Sequence, residues 1–306
     1  MNFVDFEKAF GSIHRDTLWK LLKFYGIPEC FVNIIKNIYE NYHIRVIHAG
    51  HQSHAFEVKS GVRQGCILSP TIFLIVIDYI MHKLSNEKGI KWNLNERLTD
   101  LCFADDLCLM SCTVQDMQTN TNILNQEAKK FGLNINQKKT KIMNINPNQT
   151  NNIYLDNKII EEVNSFTYLG CIISIEGGTN EDILNRLNKA RISFSILNKF
   201  RKNKNISLST KIRIFNTNVK SILLYGAETW HGNKTNMKKL QIFINKCLRK
   251  ILKIRCFHKE TNAEILKTCN QKPIEYGMRK RKWRWIGHVL RKPEKFKVKE
   301  TLEWNP

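Results

Sequence analysis

The chain has 306 residues, 42% hydrophobic and 25% charged, which gives apolar surface for one large domain or two ordinary ones and argues against wholesale disorder. Its 49 Lys and Arg stand against 27 Asp and Glu, a net charge of +22, which points to a polyanionic partner, nucleic acid before an anionic membrane surface. The longest apolar run, Thr71 to Ile77, stops at Asp78 and is too short to span a bilayer, and no basic-then-apolar leader opens the chain.

The charge is not spread evenly. Residues 1–179 hold 18 basic and 18 acidic side chains, whereas residues 180–306 hold 31 basic and 9 acidic, so the whole excess lies in the C-terminal part. Nine scattered cysteines without a CxxC pair fit neither a disulfide framework nor a zinc ribbon. A reducing intracellular setting, nuclear or cytoplasmic and not secretory, is expected.

Met1 is followed at once by Phe3-Val4-Asp5-Phe6, which reads as a strand already in progress, as if the chain began inside a domain. A helix follows with Leu18, Leu21, Leu22 and Tyr25 at helical spacing, stopped by Gly26 and Pro28. The next carries Phe31, Ile34, Ile35 and Ile38 on one face. Ile44 to Ile47 and Phe56 to Val58 read as short strands about a Gly50 turn. His48, His51 and His54 between them suit solvated hairpin positions better than a metal site. Ser69-Pro70 predicts a helix start, with Ser as N-cap and Phe73, Ile77, Ile80 and Leu84 on the buried face.

Leu98 to Phe103 and Leu107 to Met110 are apolar runs around Ala104-Asp105-Asp106, a hairpin with two carboxylates at its tip. Thr113 with Asp116 resembles a capping box for a helix burying Met117, Leu124, Ala128 and Phe131 and ending at Gly132. Strands are then expected over 133–136, 141–145, 153–155 and 166–173. From Thr179, read with Asp182 as another capping box, the chain turns helical and basic, with helices over roughly 208–225, 235–254, 260–269 and 274–291. The expected boundary is Gly177-Gly178, dividing the chain into residues 1–178 and 179–306.

Asp5 ends an apolar strand, and Asp105-Asp106 sits between two others. Burying an unpaired carboxylate costs several kcal/mol, roughly, so a cation that offsets the charge is the natural reason to keep such groups there. Three carboxylates on neighbouring strand ends suit two Mg²⁺ ions about 3.5–4 Å apart, the arrangement for in-line phosphoryl transfer. A solvated acidic turn is the alternative for Asp105-Asp106 taken alone.

Read together, these segments resemble the reverse transcriptases of non-LTR retrotransposons, the endonuclease–reverse transcriptase polyproteins. Phe3-Val4-Asp5-Phe6-Glu7-Lys8-Ala9-Phe10 is similar to their motif A. Residues 61–70, GVRQGCILSP, are similar to motif B, and Phe103-Ala104-Asp105-Asp106 to motif C. Residues 131–136 with Lys139-Thr140-Lys141 resemble motif D, and Phe166-Thr167-Tyr168-Leu169-Gly170 resembles motif E, the primer grip. The five occur in family order. The run 280–291 resembles a C-terminal segment of the same polyproteins, so the likeness spans nearly the whole chain.

The resemblance implies an α+β fold: a polymerase palm with an antiparallel sheet over residues 1–178, then a mainly helical thumb-like region over 179–306. Its activity would be RNA-directed DNA polymerisation, with an RNA template, a DNA primer and deoxynucleoside triphosphates as partners. Asp5, Asp105 and Asp106 would hold the two Mg²⁺ ions. Phe10 would be a steric gate beneath the incoming sugar, with core packing as the alternative. Arg63, Gln64 and Gly65 would line the nucleotide and template pocket. A motif D lysine, Lys139 or Lys141 with Lys139 preferred, would protonate pyrophosphate. Tyr168, Leu169 and Gly170 would hold the primer end. Lys280, Arg281, Lys282 and Arg284 would bind nucleic acid, with Trp283, Trp285 and His288 stacking on bases or packing in a helix bundle.

Three departures matter. Gly11 stands where the family usually has Asp. The chain starts at motif A, so the fingers and endonuclease segments of the parent polyprotein would act as partners. Residues 302–306 look like the start of a further segment. For the chain by itself these imply weak or no polymerase activity. The rival reading is a non-catalytic relic that only binds nucleic acid through its basic helices.

Overall fold

A computed structural model of the chain describes residues 1–40, 42–84, 88–93, 96–146, 152–254, 259–293 and 296–302. Cys256 and residues 303–306 lie outside the described residues. Two compact units are present, Met1–Leu169 and Gly170–Pro306.

The first unit is built on a five-stranded sheet. Its order is Glu161–Glu162, Lys141–Ile142, Asn2–Val4, Asp106–Leu109 and Asp100–Phe103. Asn2–Val4 is the central strand, and all three of its residues are buried. Val4, Leu107 and Leu109 belong to the main core, with Phe73, Val76 and Ile80 of the helix Ser69–Met81 and Met117, Leu124 and Ala128 of the helix Val114–Lys130. Alternation along a strand sends Phe3 to the opposite face, where its ring stacks on Phe166 with centroids 4.3 Å apart. The sheet is not wholly antiparallel as expected. Its outermost strand, Glu161–Glu162, runs parallel to Lys141–Ile142.

Several local expectations are corrected. The helix Glu29–Tyr39 turns Val32, Ile35 and Tyr39 inward, while Phe31, Ile34 and Ile38 face outward. Both sets repeat at helical spacing, so periodicity alone did not choose between them. Ser69 is no side-chain cap. It is buried, and its hydroxyl donates to the Arg63 carbonyl at 2.6 Å and lies 3.0 Å from the Tyr39 hydroxyl. The predicted strand 166–173 is interrupted. Ser165–Tyr168 and Cys171–Ser174 flank a turn in which Leu169 and Gly170 both have positive φ. His48 and His51 face each other in an exposed hairpin, in line with a solvated role.

The second unit has its own core, built from Ile183, Leu187 and Phe194 of the helix Asn180–Ile196, Phe215 and Val219, and Leu240, Ile244 and Leu248 of the helix Lys234–Leu252. The segment 208–223 contains a π-helical turn over Asn216–Lys220. Local side chains account for it. Thr217 donates to the Arg213 carbonyl at 3.1 Å, Asn218 to the Ile214 carbonyl at 3.2 Å, and Ser221 to the Thr217 carbonyl. Asp182 is not a capping-box acid either. Its buried carboxylate accepts from the Ile172 N–H at 3.1 Å and the Trp230 indole N–H at 2.9 Å. No helix among the described residues is long and apolar enough to cross a membrane.

Candidate active site

Register brings two of the three carboxylates together. Val4 pairs with Leu107, so Asp5, which follows the central strand, comes up beside Asp106 at the start of its neighbour. Phe103 pairs with Asp106, leaving Ala104 and Asp105 as a two-residue turn with Ala104 at φ 54°. Asp105 and Asp106 are both exposed at this tip. Partial desolvation, then the charges of Asp105 and Asp5, push the Asp106 carboxyl above its usual value.

Asp5 is half-buried, and its Oδ2 is a buried oxygen with no hydrogen-bond donor. The Lys139 ammonium lies 3.3 Å from that oxygen. Lys139 is presented by an Asx turn in which the Asn136 carboxamide oxygen accepts from the Lys138 N–H at 3.1 Å and the Lys139 N–H at 3.3 Å. Asn136 also donates its own N–H to the Asp5 carbonyl at 2.8 Å, which ties this loop to the central strand. Lys141 instead pairs with Glu161. The role of Asn136 escaped the sequence reading, although an Asn two and three residues before a pair of lysines is its signal.

Oxygen donors, mutual repulsion and a buried carboxylate oxygen that has an ion pair but no hydrogen bond are the chemistry that suits a hard divalent cation. Among the described residues, no group of three His, Cys, Asp or Glu side chains converges closely enough to hold a metal by itself. The donor set fits Mg²⁺, which takes few protein carboxylates and keeps waters or substrate phosphates as its remaining ligands.

Phe10 lies in the short helix Ala9–Ser12, its ring stacked on Phe73 with centroids 4.6 Å apart. Its carbonyl accepts from the Val62 N–H at 2.7 Å, and the Gly61 N–H donates to the Ile13 carbonyl at 2.8 Å. This approach is so close that a Cβ on Gly61 would fall 2.6 Å from the Gly11 backbone. Arg15 clamps the same junction, donating to the carbonyls of Gly61 and Tyr39 at 3.0 and 3.1 Å. The loop beyond carries Arg63, Gln64 and Gly65, all exposed. The Arg63 guanidinium sits over the Tyr42 ring at 4.9 Å.

Tyr168 makes contacts that sequence did not suggest. Its hydroxyl lies 3.1 Å from the Leu101 carbonyl and 3.3 Å from the Asp106 carbonyl, so it braces both strands of the carboxylate hairpin. Burial, chiefly, drives its phenol well above the usual range. In the second unit, the Gly170 carbonyl accepts from Arg186. Lys280, Arg281, Lys282 and Arg284 lie on the helix Ile274–Leu290, far along the sequence from the carboxylates.

A family model for reverse transcriptase (RNA-dependent DNA polymerase) matches residues 1–173, more than half of the chain. The chain belongs to the reverse transcriptase family. A second model, a domain of unknown function, matches residues 194–225. Among curated relatives, this reverse transcriptase domain is 35% identical to the retrovirus-related Pol polyprotein from the type-2 retrotransposable element R2DM of Drosophila melanogaster, over 38% of the chain and 11% of that protein. It is 24% identical to the RNA-directed DNA polymerase from the mobile element jockey of the same species, over 81% of the chain and 28% of that protein. The relatives are thus non-LTR retrotransposon polyproteins, and the chain spans about a tenth and about a quarter of the length of these two. Among solved structures it aligns with telomerase from Candida tropicalis in complex with a fragment of telomeric RNA, at a TM-score of 0.42 and 14% identity, covering 88% of this chain and 48% of that one.

Proposed function

We propose that the chain carries the catalytic palm and thumb of an RNA-directed DNA polymerase, copying an RNA template from a DNA primer. The observation that carries this reading is the convergence of Asp5 and Asp106 on adjacent strands, with Asp105 at the turn and Lys139 at 3.3 Å from Asp5. In the reaction, the primer 3′-hydroxyl attacks the α-phosphate of a deoxynucleoside triphosphate. A new P–O bond forms and pyrophosphate leaves. Asp5, Asp105 and Asp106 would hold two Mg²⁺ ions, which supply activation of the hydroxyl and neutralisation of phosphate charge. Lys139, on an exposed side chain, gives the departing pyrophosphate its proton.

Phe10 supports the sugar and disfavours a 2′-hydroxyl, its stack on Phe73 holding the ring in place. Arg63, Gln64 and Gly65 line the nucleotide and template pocket on a loop fixed by Ser69 and Arg15. Tyr168, Leu169 and Gly170 form the turn proposed to hold the primer end, and Lys280, Lys282 and Arg284 bind nucleic acid, while Arg281 of the same basic run is ion-paired with Glu228 at 3.4 Å. Residues 1–178 serve as palm and 179–306 as thumb.

The competing reading is a nucleic-acid binder without catalysis, favoured by the concentration of positive charge after residue 179. Primer extension on a primed RNA template with Mg²⁺ separates the two. Incorporation by the wild-type chain that disappears in Asp105→Asn is the expected result. If both proteins bind the template and neither extends the primer, the polymerase reading of this chain is lost.

A further inference from the structure

The basic helix Ile274–Leu290 separates residues that the sequence ran together. Ile274, Met278 and Val289 are buried and define its inner face. At 100° per residue, Arg281 and Trp285 belong to that face too. Arg281 is ion-paired with Glu228 at 3.4 Å, and Trp285 is only about one-third exposed. The opposite face holds Tyr276, Arg279, Lys280, Trp283, Gly287 and Leu290 within a narrow arc. Trp283 is 70% exposed and Tyr276 48%, so both ring systems are open to solvent.

Tyr276 and Trp283 are seven residues apart, two turns, which places them about 10.5 Å from each other along the axis. Lys280 lies between them and Arg284 follows. Gly287, one turn beyond Trp283, has no side chain to cover the indole, and a Cβ there would meet only the Arg291 guanidinium at 3.4 Å. Cations alternate with the rings. The Lys272 ammonium sits over the Tyr276 ring at 4.1 Å, and Lys280, Lys282 and Arg284 make no ion pair among the described residues. Exposed flat rings interleaved with uncommitted cations suit unpaired bases on a phosphate backbone. A duplex hides its base faces and offers such rings nothing to stack on.

We propose that this face is a stacking site for unpaired bases of a single-stranded RNA, with Trp283 as its principal platform, Tyr276 as its second, Lys280 holding the intervening phosphate and Arg284, at the edge of the face, a flanking one. The choice of RNA rests on the polymerase reading; the stacking chemistry does not.

The test uses the full chain and an oligouridylate of about 20 nucleotides, followed by fluorescence anisotropy, with an RNA duplex of equal length alongside. Trp283→Ala is expected to weaken single-strand binding about 5- to 100-fold, the range for loss of one base stack, and to leave duplex binding unchanged. Trp283→Phe should recover much of the affinity, and Tyr276→Ala should cost less than Trp283→Ala. Trp285→Ala, on the packed face, should lower thermal stability and leave the affinity of the folded protein intact. Unchanged binding by Trp283→Ala, or equal losses on strand and duplex, would overturn the proposal. Tighter binding of the matching deoxyoligonucleotide would overturn the assignment to RNA. Asp105→Asn separates the two readings, because it should abolish extension without altering oligouridylate binding. Binding that depends on Trp283 in a chain that never extends a primer would support the stacking site while removing the polymerase.

Discussion

Two residues near the carboxylates make claims that single substitutions can test. Tyr168 is proposed to hold the primer end, yet its hydroxyl faces the carbonyls of Leu101 and Asp106 and its ring lies 5.7 Å from that of Phe3. Its first effect should therefore be on the aspartates. Tyr168→Phe keeps the ring and removes the bridge, which should cost about 1 kcal/mol of stability, the net worth of an ordinary hydrogen bond. Steady-state extension should show a lower kcat with an unchanged KM for the primer. A raised primer KM at constant kcat would instead make Tyr168 a primer contact. Gly11 is the other case. A Cβ there meets nothing nearer than the Lys8 Cβ at 4.0 Å, and its φ is not in the left-handed region. The first side-chain carbon of an Asp is therefore accommodated at this position. Gly11→Asp should shift the unfolding free energy by no more than about 0.5 kcal/mol. Its extension rate compared with wild type shows whether the missing carboxylate limits this chain.

At the scale of elements, the second unit is held by a charge pair at its first helix. Asp182 and Arg186 are both almost fully buried, with the Arg186 Nε 3.7 Å from the Asp182 Oδ1 and its guanidinium 4.3 Å over the Tyr225 ring. Removing one partner strands the other in the core. Arg186→Met should destabilise by about 3–5 kcal/mol, and adding Asp182→Asn should restore much of that, as read by urea unfolding. The helix Asn262–Thr268 gives a pH prediction. Thr261 donates to Glu264 from its backbone N–H at 2.7 Å and its hydroxyl at 2.9 Å, which holds that carboxyl below its usual value of 4.5. A depressed acid stabilises the fold fully above its ordinary pKa and loses that contribution as pH falls through the lowered one. Amide exchange at the first turn should therefore accelerate on acidification through that window, and the change should be absent in Glu264→Gln. These elements also show what sequence could reveal. The carboxylate hairpin was legible because two apolar strands flank a short Ala-Asp-Asp tip, and the Thr113 cap because its partner Asp116 is local. Asp182 has the same spacing from Thr179, and the sequence reading failed there. Its partners, Ile172 and Trp230, lie 10 and 48 residues away, beyond any local pattern. The turn at Leu169 was hidden for a different reason, because a leucine at φ 48° has no composition signal and only Gly170 marks it.

On the scale of the whole molecule, the charge follows the architecture. The balanced stretch ends at residue 179, and the second unit, which starts at Gly170, adds only Glu176 to the basic part. The first unit is therefore close to neutral, while the second carries nearly all of the +22. A polyanion held this way binds by releasing counterions, so affinity should fall linearly in log–log form as salt rises. If about 6–10 phosphates are engaged, the loss from 50 to 200 mM salt is about 10³- to 10⁵-fold, with each phosphate contributing about 0.9 to the slope. Lys239, Lys246 and Lys250 are exposed and repeat on one face of the helix Lys234–Leu252, which makes them a fair sample of the charge. Changing all three to Gln should lower the slope by about 0.9 for each phosphate that is no longer neutralised, whereas Lys20→Gln in the neutral unit should leave it unchanged. The measurement is a salt titration of hybrid binding by the full chain. A slope that ignores the triple substitution and responds to Lys20 would locate the polyanion on the first unit and sever the link between the basic helices and binding.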